Sequence, residues 1–545
     1  MCGQFASREP AAGGGLVAER RDVLRWGLAG TLGVALPGAA AVLSSRRTTG
    51  RSPAGRPGPV PTATSSGPPV EAFTDPLPIP AVLRPVSTTD GVDRYEIRQV
   101  EARQRIRPDA ETAIWGYEGT FPGPTIEVRS GRPVAMTHHN ELPAPTVVHL
   151  HGAVVAADHD GYPSDFVLPA GGGWDTDSGV AAHAAHSVAG VATGSRTYRY
   201  PNEQPATTLW YHDHRMDFSG PQQYRGLAGF YLIRDEVEDA LPLPRDAREI
   251  PLMIADRAFD PDGALFYPST DPTLHEPGVA VEFHHSGVLG DTISVNGVAW
   301  PSCEVDAALY RLRIVNASNA RQYQLALDPP PPGGSGFIQI GSDLGLLPRP
   351  VRHDTFLITP GERYDVLVDF AAYSPGTEVR LRNTIGEGPT GYVMRFDVAR
   401  RVTDEARVPE ALVPDPEPPP ATGPADRSFS FFSGPELTGL PPTINLQTFD
   451  ASRIDARPAL DTTEIWNLTA DPSHPVHLHL AHFRVVGRDG GPPAAQDAGW
   501  KDTVFIPEGG VQVAVRFAGY RGRYVFHCHN LEHADSGMMA NLEVQ

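Results

Sequence analysis

The chain has 545 residues, with 65 acidic and 45 basic side chains, a formal net charge of −20 and a pI near 5.4. That length exceeds what a single hydrophobic core usually serves, so two to four domains are expected. No basic stripe offsets the acidic balance, which argues against nucleic acid as a partner.

Residues 19–43 have the features of an export signal. Arg20-Arg21 precede an apolar run from Trp26 to Leu43, and Ala39-Ala40-Ala41 offer a small-residue cleavage region. Paired arginines before such a run are typical of the twin-arginine route, so we expect an exported, extracytoplasmic protein (periplasmic or secreted). An uncleaved membrane anchor is the alternative, because about 18 apolar residues can just span a bilayer.

Residues 48–70 are rich in Pro, Ser, Gly and Arg, which predicts a disordered tether. We therefore interpret residues 1–70 as signal plus tether. The protein is expected to meet a membrane only transiently, during export.

From residue 71 onward the pattern is all-β. Short apolar, β-branched runs alternate with Pro/Gly turns, and long helical periodicity is absent. Leu241-Pro-Leu-Pro244 ends a first domain, and the acidic, proline-rich stretch 402–426 is typical of a linker. The sequence predicts domains at 71–240, 241–401 and 427–545, built as repeated sandwiches.

Histidines recur in pairs separated by one residue. The chain has 20 histidines, for which chance predicts roughly 0.7 such pairs. Alternate residues of a strand face the same side, so each pair presents two imidazoles together. The four pairs are His149/His151, His212/His214, His477/His479 and His527/His529. They lie only in the first and last predicted domains, so eight imidazoles are expected to meet at an interface and hold a cluster of metal ions.

Cys528 lies inside the last pair and must face the opposite side of its strand. His533 and Met538 follow it, and His474 precedes the third pair. One thiolate, two imidazoles and a distant thioether form the blue-copper ligand set. Met539 is the alternative axial ligand.

These motifs resemble those of the three-domain multicopper oxidases. The resemblance covers about residues 75 to 545. Further stretches resemble the spore-coat laccase, bilirubin oxidase and phenoxazinone synthase branch, among them Gly123–Glu127, Asp160–Pro163, Asn316–Asn319 and Gly499–Thr503. The resemblance implies three consecutive cupredoxin-like Greek-key β-sandwich or barrel domains, with the second domain as a spacer that can also form a wall of the substrate site.

The resemblance also implies four copper ions per chain. Type 1 copper would take His474, Cys528, His533 and axial Met538; type 2 would take His149 and His477; the type 3 pair would take His151, His212 and His529 on one ion and His214, His479 and His527 on the other. Single electrons from a small phenolic, aminophenolic or bilin substrate would enter at type 1, through a solvent-facing His533. They would pass by Cys528 to the cluster, where O2 becomes water.

Proton delivery is where the chain departs from the family pattern. Asp160 matches an acidic residue near the cluster and is assigned to proton delivery or to hydrogen bonding of cluster water; the alternative is a turn-forming Asp before Gly161. Relatives often carry an acid immediately after the position of His533, where this chain has Ala534. The neighbouring acids Glu532 and Asp535 are expected to point elsewhere.

Three other functions compete. A metal-ion oxidase acting on Mn(II) or Cu(I) fits the copper motifs equally well, because its substrate meets only the rim of type 1. A copper-storage or electron-transfer protein explains the blue site but not eight further imidazoles. Copper nitrite reductase shares the blue site, yet it does not need four histidine pairs.

Overall fold

The computed structural model describes residues 61–174, 178–414, 424–434, 441–471 and 474–545. The predicted export signal lies outside these residues. None of the helices in the described ranges is long and apolar enough to cross a membrane.

The first sandwich consists of two main sheets, ordered β1-β5-β12-β11-β7 and β10-β6-β3-β2, with β4 paired to β3. Its strands are β1 (Val82–Leu83), β2 (Ser87–Thr89), β3 (Val92–Arg107), β4 (Ala110–Tyr117), β5 (Gly123–Arg129), β6 (Val134–Asn140), β7 (Val148–His151), β8 (Val167–Leu168), β9 (Ala192–Thr193), β10 (Ser195–Tyr200), β11 (Thr207–Asp213) and β12 (Ala228–Arg234).

The second sandwich pairs a sheet ordered β15-β14-β13-β17-β22-β19-β20 with one ordered β16-β24-β23-β18-β21. Its strands are β13 (Glu249–Arg257), β14 (Thr292–Val295), β15 (Val298–Ala299), β16 (Ser302–Ala307), β17 (Leu309–Asn316), β18 (Tyr323–Asp328), β19 (Phe337–Ser342), β20 (Gly345–His353), β21 (Thr355–Ile358), β22 (Arg363–Asp369), β23 (Glu378–Asn383) and β24 (Tyr392–Arg401).

The third sandwich pairs a sheet ordered β26-β25-β27-β31-β29 with one ordered β30-β28-β32-β33. Its strands are β25 (Arg427–Phe432), β26 (Thr443–Ile444), β27 (Thr462–Ala470), β28 (His474–Leu478), β29 (His482–Arg488), β30 (Thr503–Ile506), β31 (Gly509–Phe517), β32 (Gly522–Cys528) and β33 (Met539–Val544). Short helices connect strands: α1 (Ser178–Ala184), α2 (Ser219–Arg225), α3 (Glu236–Ala240) and α4 (Leu531–Asp535).

The strands form because apolar side chains recur at every second position. In β18, Tyr323, Leu325 and Leu327 are buried while the residues between them are partly exposed. This alternation buries one face of a sheet and leaves the other in contact with water. Each sandwich accordingly encloses its own large apolar cluster, and the predicted all-β fold is confirmed.

Residues 61–70 differ from the predicted tether. Ala63 is buried and pairs with Gly290 of the second sandwich. The Ser65 hydroxyl donates to Asp291 Oδ1 over 2.5 Å, and the Ser65 backbone N–H donates to Asp291 Oδ2. Composition suggested a solvated chain, but these specific partners, far away in sequence, hold the segment in place.

A buried ion cluster joins α3, at the end of the first sandwich, to the second. Arg313 Nη2 lies 2.5 Å from Glu238 Oε1, and Arg313 also pairs with Glu249. Arg311 bridges Glu238 and Asp365. Burial by itself would raise the pKa of Glu238, but Arg313, Arg311 and Arg234 lower it to about 2. The ionised carboxylate therefore stabilises the fold above its unfolded pKa, and that contribution is lost as pH falls toward 2.

We expect Arg313→Met to destabilise the protein by about 3–5 kcal/mol, because it leaves buried carboxylates without their cation. Urea unfolding at neutral pH measures this. Arg103→Met is the matched control, since Arg103 and Glu111 form an exposed pair; it should cost no more than about 1 kcal/mol. Equal effects of the two substitutions would contradict a structural role for the buried cluster.

Candidate metal centre

Two pairs of antiparallel strands, with the residue that directly follows three of them, present the four histidine pairs. In the first sandwich, His212 of β11 lies directly opposite His149 of β7. In the third, His477 of β28 lies opposite His527 of β32. The period of two therefore stacks imidazoles from neighbouring strands on one face of each sheet.

The two faces meet across the interface of the first and third sandwiches. The ring centres of His149 and His479 are 3.8 Å apart, and those of His151 and His477 are 3.6 Å apart. His214 Nε2 lies 3.2 Å from His527 Nε2. All eight imidazoles are buried, so the predicted convergence is what the structure shows.

Hydrogen bonds on the outer side set the tautomer of these rings. A carbonyl oxygen can only accept, so a ring nitrogen that contacts one must carry the proton. The other nitrogen then keeps its lone pair and faces the centre. Four rings are held in this way: His149 Nδ1 by Asp160 O at 2.7 Å, His212 Nδ1 by Asp213 O, His477 Nδ1 by Asp502 O and His527 Nδ1 by Cys528 O, the last three each at 2.9 Å.

Electrostatics favour the neutral, metal-binding form. Burial lowers the pKa of His212 and of His527 to about 3, and burial together with neighbouring imidazoles lowers the pKa of His214 well below its ordinary value. Several inward nitrogens, including His212 Nε2 and His151 Nδ1, have no hydrogen-bond partner among the described residues. Buried lone pairs without partners are costly, and a metal ion satisfies them.

Asp160 lies against the cluster. Its carboxylate Oδ2 is 2.7 Å from His479 Nδ1, while its backbone oxygen holds His149. The residue is 1% exposed, and its Oδ1 lies 3.7 Å from His149 Nδ1 but has no hydrogen-bond partner in the described chain. Burial raises the pKa of this carboxyl well above its ordinary value. Asp160 also ends a short turn before Gly161, but its contacts go beyond those of a turn residue.

Asp502 is a residue that sequence reasoning did not single out. Its Oδ1 lies 3.0 Å from His151 Nε2, and its backbone oxygen holds His477. Arg363 of the second sandwich donates to both oxygens of this carboxylate, at 2.7 and 2.5 Å. Burial opposes ionisation, but Arg363 and His151 hold the pKa of Asp502 well below its usual range. The only signal in the sequence was its position inside Gly499–Thr503.

The second sandwich therefore does more than separate the other two. Gly361, with φ +87°, lies so close that an added Cβ would be 2.9 Å from His529 Cδ2 and 3.1 Å from His151 Cε1. A side chain there would displace imidazoles. Arg363 and Gly361 together make the second sandwich part of the wall of the cluster.

A second donor group, centred on Cys528, lies in the third sandwich. His474 Nδ1 and His533 Nδ1 lie 3.3 and 3.6 Å from Cys528 Sγ, and 3.2 Å from each other. Met538 belongs to the same apolar cluster as Cys528, whereas Met539 packs in the cluster of the first sandwich. This placement favours Met538 over Met539 as the fourth side chain.

The outer nitrogens of this second group do not face solvent. His474 Nε2 lies 2.7 Å from Asp471 Oδ1. His533 Nε2 donates to the backbone oxygen of His285 over 3.0 Å, and His533 is only 1% exposed. The expectation of a solvent-facing His533 is therefore wrong, because the loop that precedes β14 covers it.

The acids beside His533 point away from the imidazole cluster. Glu532 accepts from Tyr267 Oη, Asn319 Nδ2 and Val288 N. Asp535 accepts the backbone N–H groups that begin α2. Ala534 is buried. Both acids thus point elsewhere, as expected, and their contacts fix α4 against the other sandwiches.

The donor types gathered here suit copper. Donor atoms within 4.8 Å of one another are found for His214, His479 and His527, for His149, His477 and His479, for His149, His151 and His212, and for His474, Cys528 and His533. His529 is in none of these groups, although its ring centre is 5.1 Å from that of His151. Burial raises the pKa of the Cys528 thiol, so its thiolate needs a cation beside it. Imidazole and thiolate are the ligands that copper prefers.

Comparison with known proteins shows the family to which the chain belongs. Family models described as multicopper oxidase match residues 418–545, and residues 99–185 and 175–238. A laccase of Bacillus stratosphericus is 37% identical, over 87% of this chain and 99% of its own. A bilirubin oxidase of Albifimbria verrucaria is 34% identical, over 86% and 80%. The crystal structure of a multi-copper oxidase from Pediococcus acidilactici superposes with a TM-score of 0.75 and 30% identity, over 90% and 94%. The chain belongs to the multicopper oxidase family and is an oxidase, built from three cupredoxin-like sandwiches.

Proposed function

We propose that this protein is a laccase-like oxidase that takes single electrons from phenolic, aminophenolic or bilin substrates and reduces O2 to water. One observation carries the proposal: the donor group centred on Cys528 and the cluster of eight imidazoles are joined by the strand end His527-Cys528-His529. An electron on Cys528 is one backbone residue away from each flanking imidazole. The laccase and bilirubin oxidase relatives support the substrate class.

The ligand assignment is the one that the family resemblance implies. Type 1 copper would be held by His474, Cys528, His533 and Met538, type 2 copper by His149 and His477, and the type 3 pair by His151, His212 and His529 on one ion and by His214, His479 and His527 on the other. The contact of His214 with His527, and the closeness of the donor atoms of His214, His479 and His527, support the second type 3 set.

Bound copper supplies one-electron redox chemistry at the first site and O2 reduction at the second. The protein chain positions the metal ions and delivers protons. Backbone carbonyls and Asp502 orient the imidazoles before any metal arrives, which is the usual role of outer partners around a metal site. Asp160 Oδ1 is buried and has no hydrogen-bond partner in the described chain. The Asp160 carboxyl can therefore deliver a proton into the cluster.

The domain limits and the export route are part of the same proposal. The domain limits 71–240, 241–401 and 427–545, with a linker at 402–426, are supported by the chain ranges of the three pairs of sheets. Export by the twin-arginine route is proposed from Arg20-Arg21.

Metal analysis of fully copper-loaded protein should give four copper ions per chain, with intense blue absorption and a near-ultraviolet shoulder. One copper per chain, or a colourless protein, would refute the oxidase proposal. A substrate panel with oxygen uptake, containing phenols, aminophenols, bilins, Mn(II) and Cu(I), separates the laccase-like function from a metal-ion oxidase.

Cys528→Ser should abolish the blue absorption and substrate oxidation while much of the copper in the imidazole cluster stays bound. The hydroxyl replaces only the thiolate, and His527 and His529 still face the cluster. Cys303→Ser is the control, since Cys303 lies in β16 and donates only to a backbone oxygen. Absorption spectra and metal analysis measure the outcome; continued phenol oxidation in Cys528→Ser would disprove the electron path.

Asp160→Asn should slow reoxidation of the reduced enzyme by O2 on the order of 10²-fold or more, because a positioned proton donor is lost. Copper content and anaerobic type 1 reduction should remain close to those of the parent. Stopped-flow absorption separates these half-reactions.

Asp158→Asn is the control for this experiment, since the Asp158 side chain is 59% exposed. Ala534→Glu should accelerate reoxidation if that step is limited by protons. Parent-like reoxidation of Asp160→Asn would assign the proton route to other groups.

A further inference from the structure

The two imidazoles of the type 1 group connect to a single surface residue. His533 Nε2 donates to the backbone oxygen of His285. His474 Nε2 contacts Asp471, which accepts from the Ser433 hydroxyl over 3.1 Å. Ser433 Oγ in turn lies 3.1 Å from His285 Nδ1. His285 thus closes a hydrogen-bonded ring around the outside of the site.

The tautomer of His285 follows from these partners. Its Nδ1 lies 3.0 Å from the backbone oxygen of Gly434, which can only accept. Because the Ser433 hydroxyl already donates to Asp471, it too acts as an acceptor toward His285. Nδ1 therefore carries the proton, and Nε2 is left with its lone pair.

This lone pair is available to a ligand. His285 is partly exposed, and no residue in the described parts of the chain forms a hydrogen bond with its Nε2. His284 beside it is different, because its Nε2 contacts the backbone oxygen of Val279. Val281, 45% exposed, and the exposed Glu282 lie on the same loop.

We propose that His285 is the substrate-recognising residue of this oxidase, and that its Nε2 accepts a hydrogen bond from the O–H or N–H of a phenolic or aromatic amine substrate. The inference rests on the proposed function. The family resemblance implied that the substrate meets His533. Because His533 is buried beneath His285, the substrate binds to His285 instead. The backbone carbonyl of His285 then provides the contact to His533.

Oxidation of a phenol bound at His285 is a one-electron, one-proton step. A bound phenol loses one electron and the proton of its hydroxyl group. The O–H bond breaks, the proton passes to bulk water, and a phenoxyl radical leaves. The electron would pass through the His285 carbonyl and the His533 imidazole to copper held by His474, Cys528 and His533, which would accept it as Cu(II) going to Cu(I). Four such events supply the electrons for one O2.

The test compares ligands that differ only in the donor. 4-Cyanophenol is a poorly oxidised phenol, and its methyl ether has the same ring without an O–H. Binding of each to the oxidised, copper-loaded enzyme is measured by equilibrium dialysis. His285→Phe removes both ring nitrogens; His285→Asn keeps a donor near Gly434 but lacks the outward acceptor; His284→Phe is the matched control.

Both His285 variants should bind 4-cyanophenol roughly three- to tenfold more weakly, the effect of one lost hydrogen bond, and should bind the ether as the parent does. KM for 2,6-dimethoxyphenol should rise by the same factor, while KM for ferrocyanide, which has no donor group, stays constant. Blue absorption, copper content and the type 1 reduction potential of His285→Asn should match the parent. His284→Phe should change none of these quantities.

Equal weakening for phenol and ether, or no weakening, would overturn the inference, and so would a parent enzyme that does not prefer the phenol. A shifted type 1 potential in His285→Asn would overturn it too, because it would assign the residue to support of the site rather than to recognition. A parent that binds the phenol selectively but consumes no O2 with any reductant would refute the proposed function and leave the recognition role standing.

Discussion

The structure depends on keeping eight imidazoles together in a buried interface. Desolvation disfavours the imidazolium form, and mutual repulsion adds to it. Neutral rings can still rotate or exchange tautomers, and outer hydrogen bonds to backbone oxygens fix the orientation of four of them. Backbone oxygens of Asp160, Asp213 and Asp502 do this without introducing further charge. The metal-binding geometry is thus prepared by main-chain groups that any sequence carries.

Charged side chains in the wall of the imidazole cluster are paired with side chains of opposite charge. Asp502 touches His151 and is paired on both oxygens by Arg363. Lys501, next in sequence, is buried between Asp343 and Glu362. A buried carboxylate without such partners would protonate rather than stay charged. The second sandwich supplies Arg363, Asp343 and Glu362, which gives it a direct electrostatic role in the centre.

The donor group centred on Cys528 is closed off in a comparable way. Its rings are covered by Asp471 and by the loop that carries His285. Glu532 ties α4, and with it His533, to Tyr267, Asn319 and Val288 of the second sandwich. Burial excludes water and limits reorganisation, while the partly exposed His285 keeps a short connection to the surface.

The sequence by itself determined the donor atoms and the all-β framework. The spacing of two places both members of a pair on one face of a strand, and Cys528 between His527 and His529 necessarily faces the other side. These are local rules that need no knowledge of the fold. The convergence of the first and third sandwiches also followed, because the pairs are confined to the two ends of the chain.

Only the tertiary structure decided what surrounds those donors. Arg363 and Asp502 are separated by 139 residues, and His285 and His533 by 248. Such partners follow from how whole sandwiches pack, and no local periodicity encodes them. For the same reason composition alone could not show that residues 61–70 dock on the second sandwich, or that His533 is covered.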